Sequence, residues 1–422
     1  MAERPSTQSG ANSCPHLANE YHPLTSPQLD NPYPFYMRAR SEEPVFFSEE
    51  INAWVITRYN DIKSILLQPE IFSSKDTMRP IVKFTPEVLQ VLNQGYRKVP
   101  ETVNSDGINH LRFRTPLNKV FSPPRMKAMA PTVRKVVNQL IDDFINDGEA
   151  EIMTQFANML PLEIILLLYD IPLARMDDCK RWCTDMHGLI SEPLSPERQL
   201  ECAQSRVAFH RYIGHMIEER RKALGEDVIS LMLTVHYDPA QPLSEDELVR
   251  VLSATLLAGH ETTAMLIGNA LHLLLKRPEL WQKLCEQPNI ISNAIEEVLR
   301  YDGPIHAFHR TALQEVQVGA VTIPAGSLLL LVYGSANYDE AQFPTPEQFD
   351  IYRSPNRHLS FGHGIHFCVG APLARLEAQI ALEMLSQRLP HLRLKPEQSI
   401  SYIPRLLMRG LTKLEVEWDV EQ

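Results

Sequence analysis

Apolar residues recur at helical spacing through much of the chain. Between about 125 and 233, the segments VRKVVNQLIDDFI and RVAFHRYIGHMIEERRKAL place them three and four apart, which predicts amphipathic helices. Two short runs of strand character, PVFFS and AWVITRY, lie between 23 and 73 and are separated by the turn-prone EEIN. Late in the chain, VQVGAVTIPAGSLLLLVYG reads as strands broken by Gly and Pro turns. The pattern predicts a mainly α fold with a small β portion.

The clearest helix lies in PLSEDELVRVLSATLLAGHETTAMLIGNALHLLLKRP. Ser244 and Glu247 have capping-box spacing, and Lys276, Arg277 and Pro278 supply basic residues and a stop. That gives about thirty residues, or ~45 Å of helix. From Val251 onward it is apolar on nearly every face, so it is expected to run through the middle of the molecule. A membrane span is argued against by His260 and Glu261, two ionisable groups in mid-helix.

Ala258-Gly259 followed by His260-Glu261-Thr262-Thr263 is an unusual insertion in a buried helix, because Gly costs ~1 kcal/mol against Ala and buried polar groups need partners. One reading is a packing glycine with Thr hydroxyls bonded back to the preceding turn. The other is a flat ligand lying against Ala258 and Gly259, with Glu261 and Thr262 as an acid and alcohol pair able to relay protons.

Composition narrows the class. The 422 residues are 44% hydrophobic and 22% charged, an ordinary globular balance. The net charge of -11, from 52 acids and 41 bases with no long basic run, argues against nucleic acid as a partner. Six cysteines are sparse for this length, which fits a reducing, cytoplasmic compartment. The start has no signal-peptide core and no anchor helix, so no membrane anchor is expected. Residues 1–20 are expected to be a flexible tail, and 21–422 one domain without repeats or linkers.

The densest chemistry is in FGHGIHFCVG, residues 361–370, just before a helical pattern. A cysteine at the mouth of a helix has its thiolate favoured by free backbone N–H groups, and glycines let backbone approach something bulky. A buried structural cysteine is one alternative. A zinc site of His363, His366 and Cys368 is another. A phosphate loop is weakly supported, since no GK[ST] follows.

FGHGIHFCVGAPLARLE is similar, position by position, to the haem-binding signature FGxGxHxCxGxxLAxxE of the cytochrome P450 superfamily. The resemblance covers the chain from about Asn31 onward. It implies the cytochrome P450 fold, a long central helix over a buried haem b (iron protoporphyrin IX), with the Cys368 thiolate as axial ligand and Phe361 shielding its face. AGHETT resembles the oxygen-binding segment, with Ala258 and Gly259 against the haem, Thr262 holding the bound oxygen and its water, and Glu261 supplying protons. NHLRFRTPLNKVFSP resembles the helix that offers His110 and Arg114 to a haem propionate, a task for which Arg310 and His366 are further candidates. Glu297, Arg300 and Arg353 match a buried structural ion network.

The resemblance therefore implies a monooxygenase that activates dioxygen to hydroxylate a C–H bond, or epoxidise an alkene, of an apolar small molecule such as a terpenoid, steroid or fatty acid. Electrons are expected from a separate ferredoxin or flavodoxin with its reductase, docked at a basic patch of Arg112, Lys119, Arg125 and Arg357. A peroxide-driven peroxygenase and a non-catalytic haem gas sensor are the alternatives; the retained acid and alcohol pair speaks against both. The pocket is expected to draw on 78–106, 186–208, Leu256, Leu257, 305–308 and 406–408, with His306 as its one polar departure.

Overall fold

A computed structural model of the chain describes residues 17–420; Cys14 lies outside the described residues. Of the tail expected over 1–20, residues 17–20 are described. Leu17–Glu20 is a 3₁₀ turn with Leu17 buried among Tyr21, Phe46 and Val55, so apolar burial holds the chain from there on.

The central helix runs from Glu245 to Leu275 and opens with the full capping box: the Glu247 N–H donates to Ser244 Oγ, and the Ser244 N–H donates back to Glu247 Oε2. It packs against the helices Met159–Tyr169, Met176–Ser191, Pro196–Lys222, Ile291–Asp302 and Ala371–Arg388. Between Leu248 and Leu275 the residues that are not fully buried are Ala254, Thr255, Ala258, Gly259 and Thr262. Their spacing puts them on one face. A helix apolar all round thus leaves one mid-length stripe uncovered by protein.

The β portion forms a five-stranded sheet in the order Val45–Ser48, Ala53–Ile56, Leu328–Leu331, Phe308–Ala312, Phe72–Ser73. Ala53–Ile56 and Leu328–Leu331 pair in parallel and the other neighbours antiparallel. The predicted late strands appear as the hairpin Val316–Val318 with Val321–Ile323, then Leu328–Leu331.

Two buried polar features stand out in the helical core. Arg300 bonds Glu297 twice, at 2.9 and 2.7 Å, and Arg353 Nε reaches both Glu297 oxygens at 3.2 Å, assembling the three residues separated in sequence. Glu377, on the helix after Cys368, is 1% exposed; its Oε2 has no hydrogen-bond partner among the described residues, and burial drives its carboxyl well above the usual carboxylate range. Because the folded value is raised, stability is complete below the unfolded value of ~4.3 and is lost as pH climbs toward the folded one. Each pH unit inside that window costs ~1.4 kcal/mol. Glu377→Gln is therefore expected to raise the urea midpoint more at pH 8 than at pH 5; an equal shift at both would show that burial imposes no ionisation cost.

Candidate active site

The cysteine loop is shaped by its backbone. Gly362 and Gly364 have φ of +72° and +70°. At Gly364 a Cβ would stand 2.7 Å from the Leu66 carbonyl oxygen, so a second strict requirement for glycine comes from a neighbouring helix end and not from a ligand. The Cys368 N–H donates to the Phe361 carbonyl at 2.9 Å, closing the loop beneath the helix Ala371–Arg388. Burial pushes the Cys368 thiol up, opposed by the Gly370 and Ala371 amides directed at the sulfur and by Arg114 and Arg375. Phe361 is half-buried beside it, with the Arg375 guanidinium 4.5 Å from its ring centre.

Between this loop and the uncovered stripe of the central helix lies a cavity of ≈ 820 Å³. Cys368, Phe361 and His366 line one side; Ala258, Gly259 and Thr262 line the other. The Thr262 hydroxyl donates to the Ala258 carbonyl at 2.9 Å, the back-bonded arrangement, which leaves its oxygen able to accept a hydrogen bond from the cavity.

Cations and imidazoles gather along one edge. Arg114 and Arg310 line the cavity; Arg114 donates to the Phe367 carbonyl at 2.6 Å, and Arg310 to Thr77 Oγ1 at 3.1 Å and the His309 carbonyl at 2.7 Å. The His110 and His366 rings are 4.4 Å apart, and His366 Nε2 is 2.9 Å from Ser74 Oγ. Burial, then Arg114, pushes His110 down to about 4; burial, then Arg310, His110 and Arg114, pushes His366 down to about 2. Both rings are neutral, and buried His110 Nε2 has no hydrogen-bond partner among the described residues.

Other expectations are redirected. Glu261 does not line the cavity: it is buried behind the helix, bonded by Arg405 and with His187 Nδ1 2.9 Å from Oε2. Burial alone would raise its carboxyl, but His187 and Arg405 hold it well below the usual range. His187, by contrast, is on the cavity wall. The backbone of Gly259 borders the cavity, yet its missing side chain faces Ile165, where a Cβ would be 3.1 Å from Cδ1; the glycine is required by helix packing. His306 turns away from the cavity, its Nε2 2.9 Å from Tyr36 Oη. Leu256 is buried in the core, while Leu257 does border the cavity. Arg112 is taken up by Glu247, at 2.8 and 3.1 Å.

The Cytochrome P450 family model matches residues 44–416. The chain belongs to the cytochrome P450 family. It is 35% identical to mycinamicin IV hydroxylase/epoxidase of Micromonospora griseorubida, over 91% of this chain and 94% of that one. It is 34% identical to 6-deoxyerythronolide B hydroxylase of Saccharopolyspora erythraea, over 92% and 96%. Among solved structures, cytochrome P450 CREJ in complex with (4-ethylphenyl) dihydrogen phosphate superposes with a TM-score of 0.91 at 34% identity, covering 95% of this chain and all of that one.

This P450 is a haem-thiolate monooxygenase with haem b as its cofactor. Its residues fit that group. The cavity holds a sulfur on one wall and an apolar helix face on the other, and Arg114 and Arg310 on the wall offer donors to two carboxylates; His110, packed on His366 but not itself on the wall, keeps an unpartnered buried Nε2. Among the described residues no three His, Cys, Asp or Glu side chains are grouped to hold a bare metal ion, so His363, His366 and Cys368 do not assemble as a zinc site. Among the same residues, no helix is long and apolar enough to cross a membrane. Sequence reasoning missed His187 and Arg405 as partners of Glu261, and missed His210 and Arg250 on the cavity wall; Arg206 falls inside the expected 186–208, but its charge was not singled out. The signal for Arg206 and His210 was their four-residue spacing on an amphipathic helix.

Proposed function

We propose that this P450 hydroxylates a C–H bond, or epoxidises an alkene, of an apolar or amphipathic small molecule of terpenoid, steroid or fatty-acid type, with electrons from a ferredoxin or flavodoxin and its reductase. The observation that carries the reading is the ≈ 820 Å³ cavity with Cys368 on one wall and Thr262 on the other. The relatives named as hydroxylases of mycinamicin IV and 6-deoxyerythronolide B support the reaction type.

Cys368 would hold the haem iron in this reading, and the haem, when bound, would supply the chemistry of dioxygen activation. Arg114, Arg310, His110 and His366 would hold its propionates. Ala258 and the Gly259 backbone would offer it an uncovered face of the central helix. Met78, Phe84, Leu257, Ile305, Phe308 and Leu407 exclude water and orient the substrate. Thr262 Oγ1 accepts a hydrogen bond in the cavity and passes a proton on. Glu261, held ionised behind the helix, takes part in that path as a carboxylate that orients His187, and His187, which touches both Glu261 and the cavity, links the two. Lys119 and Arg357, both exposed, with Arg125, remain the basic docking candidates; exposed Ile365 and Phe367 on the cysteine loop add an apolar centre for a partner.

The test is coupling. In the presence of a ferredoxin, its reductase and a turned-over substrate, Thr262→Ala is expected to keep haem and NADPH oxidation while product per NADPH falls by roughly tenfold or more, the balance appearing as peroxide. Unchanged coupling would remove Thr262 from the proton path and overturn this mechanism.

A further inference from the structure

The end of the cavity remote from His110 and His366 carries charge that the oxygenation reading does not use. Arg206 and His210, one turn apart on the helix Pro196–Lys222, and Arg250 near the start of the central helix all line it. The carboxylate facing them is Glu101, with Oε1 2.5 Å from Arg250 Nη2 and 4.0 Å from Arg206 Nη2. One carboxylate therefore answers two guanidinium groups, and it sits within hydrogen-bonding reach of only the Arg250 nitrogen.

Among the described residues that line the cavity, Glu101 is the one carboxylate. His210 Nε2 is buried with no hydrogen-bond partner among the described residues, and burial with Arg206 and Arg250 keeps that ring neutral. Burial and Arg250 push the Arg206 guanidinium down to about 10, so it stays charged at neutral pH. Lys98 also lines this end, as does Arg97, whose partner is Asp246 at 4.0 Å. Around them the wall is apolar: Leu89, Leu92, Val207, Val251 and Ala254. A buried cation without a close counter-ion is costly, and a ligand oxyanion would relieve it through forked, charge-assisted hydrogen bonds.

Position gives the shape of the ligand. Arg250 stands twelve residues before Thr262 on the same helix, or ~18 Å along its axis. We infer that the substrate is an elongated amphipathic molecule whose anionic head, a carboxylate or a phosphate monoester, docks on Arg206 and Arg250 with His210 as an added polar contact, placing its apolar tail between Thr262 and Cys368. The inference rests on the oxygenation reading above and deepens it by naming the substrate's head group and the end that is oxidised.

The experiment is a binding titration of the haem-loaded protein with three probes of one chain length: dodecanoate, dodecyl phosphate and dodecanol. At least one anionic probe is expected to bind about tenfold tighter than the alcohol, or more, at low salt. A preference confined to dodecanoate identifies a carboxylate head, and one confined to dodecyl phosphate a phosphate head. Arg206→Gln is expected to erase the preference without weakening dodecanol, and Glu101→Gln, which leaves both guanidinium groups without a carboxylate, to strengthen it. Equal binding of all three probes, or a preference that survives Arg206→Gln, overturns the inference. The carbon monoxide spectrum of the same reduced samples separates the two levels. A thiolate-type band with no anion preference sinks the head-group assignment alone, while a missing band sinks the oxygenation reading and this inference with it.

Discussion

Cys368→Ala is expected to abolish oxygenation, product falling to background, while the polypeptide stays folded. The loop does not depend on the thiol for its shape: the Cys368 N–H bond to the Phe361 carbonyl and the approach of Gly364 to the Leu66 carbonyl are backbone contacts that survive the change. What disappears is the acceptor at which the Gly370 and Ala371 amides point and the soft ligand on that wall of the cavity. The purified, reduced wild type is expected to show a strongly red-shifted Soret band with carbon monoxide, and the variant none. Cys368→Ser separates shape from ligation, since it preserves the side-chain outline and loses the thiolate. A red-shifted band retained in Cys368→Ala would show that another residue holds the iron.

The second large effect is structural. Arg300 is fully buried, with its guanidinium on both Glu297 oxygens and on the carbonyls of Asn337, Pro346 and Gln348, at 2.7–3.0 Å. Its charge also lies 5.3–5.6 Å from the ring centres of Tyr301, Tyr338 and Phe343. Arg300→Ala leaves Glu297 short of a counter-ion and strands the carbonyls of Asn337 and Pro346, while Gln348 keeps Arg353, a loss on the order of 3–5 kcal/mol. Against a total stability of ~5–15 kcal/mol, that takes away about a fifth of the whole at the least and all of it at the most. Arg300→Lys keeps the charge and loses the fork, so its urea midpoint is expected between the two. If both variants unfold within ~1 kcal/mol of the wild type, the network does not stabilise the core.

The central helix was legible because every level of the sequence agreed there: cap, apolar surround, basic end and proline stop. The cysteine loop was legible through its position-by-position resemblance to the haem-binding signature, since its residues alone left a structural cysteine, a zinc site and a phosphate loop open. Glu261 and His306 were harder, since the sequence shows that a buried polar side chain needs a partner and not which one. Glu261 finds Arg405, 144 residues away, and His306 finds Tyr36, 270 away. Gly259 answers to both readings for a related reason: a glycine marks close approach, and the fold places its backbone on the cavity while Ile165 approaches its missing side chain. Leu17, read as part of a tail, is core because one apolar side chain among polar neighbours is a weak local signal and a full share of core once the sheet is present.

The carbonyl of Leu66 pressing on Gly364 has a consequence for how the protein can change. The sulfur's position is referenced to main-chain atoms from early and late stretches of the chain, whereas the remote end of the cavity is drawn by side chains on segments such as 84–103 and 206–210, which among the described residues share no main-chain hydrogen bond with the cysteine loop. Substitutions there redraw the outline a guest molecule must match and leave the oxidising centre where it stands. Diversity of guests and constancy of chemistry are thus assigned to separate stretches of one chain.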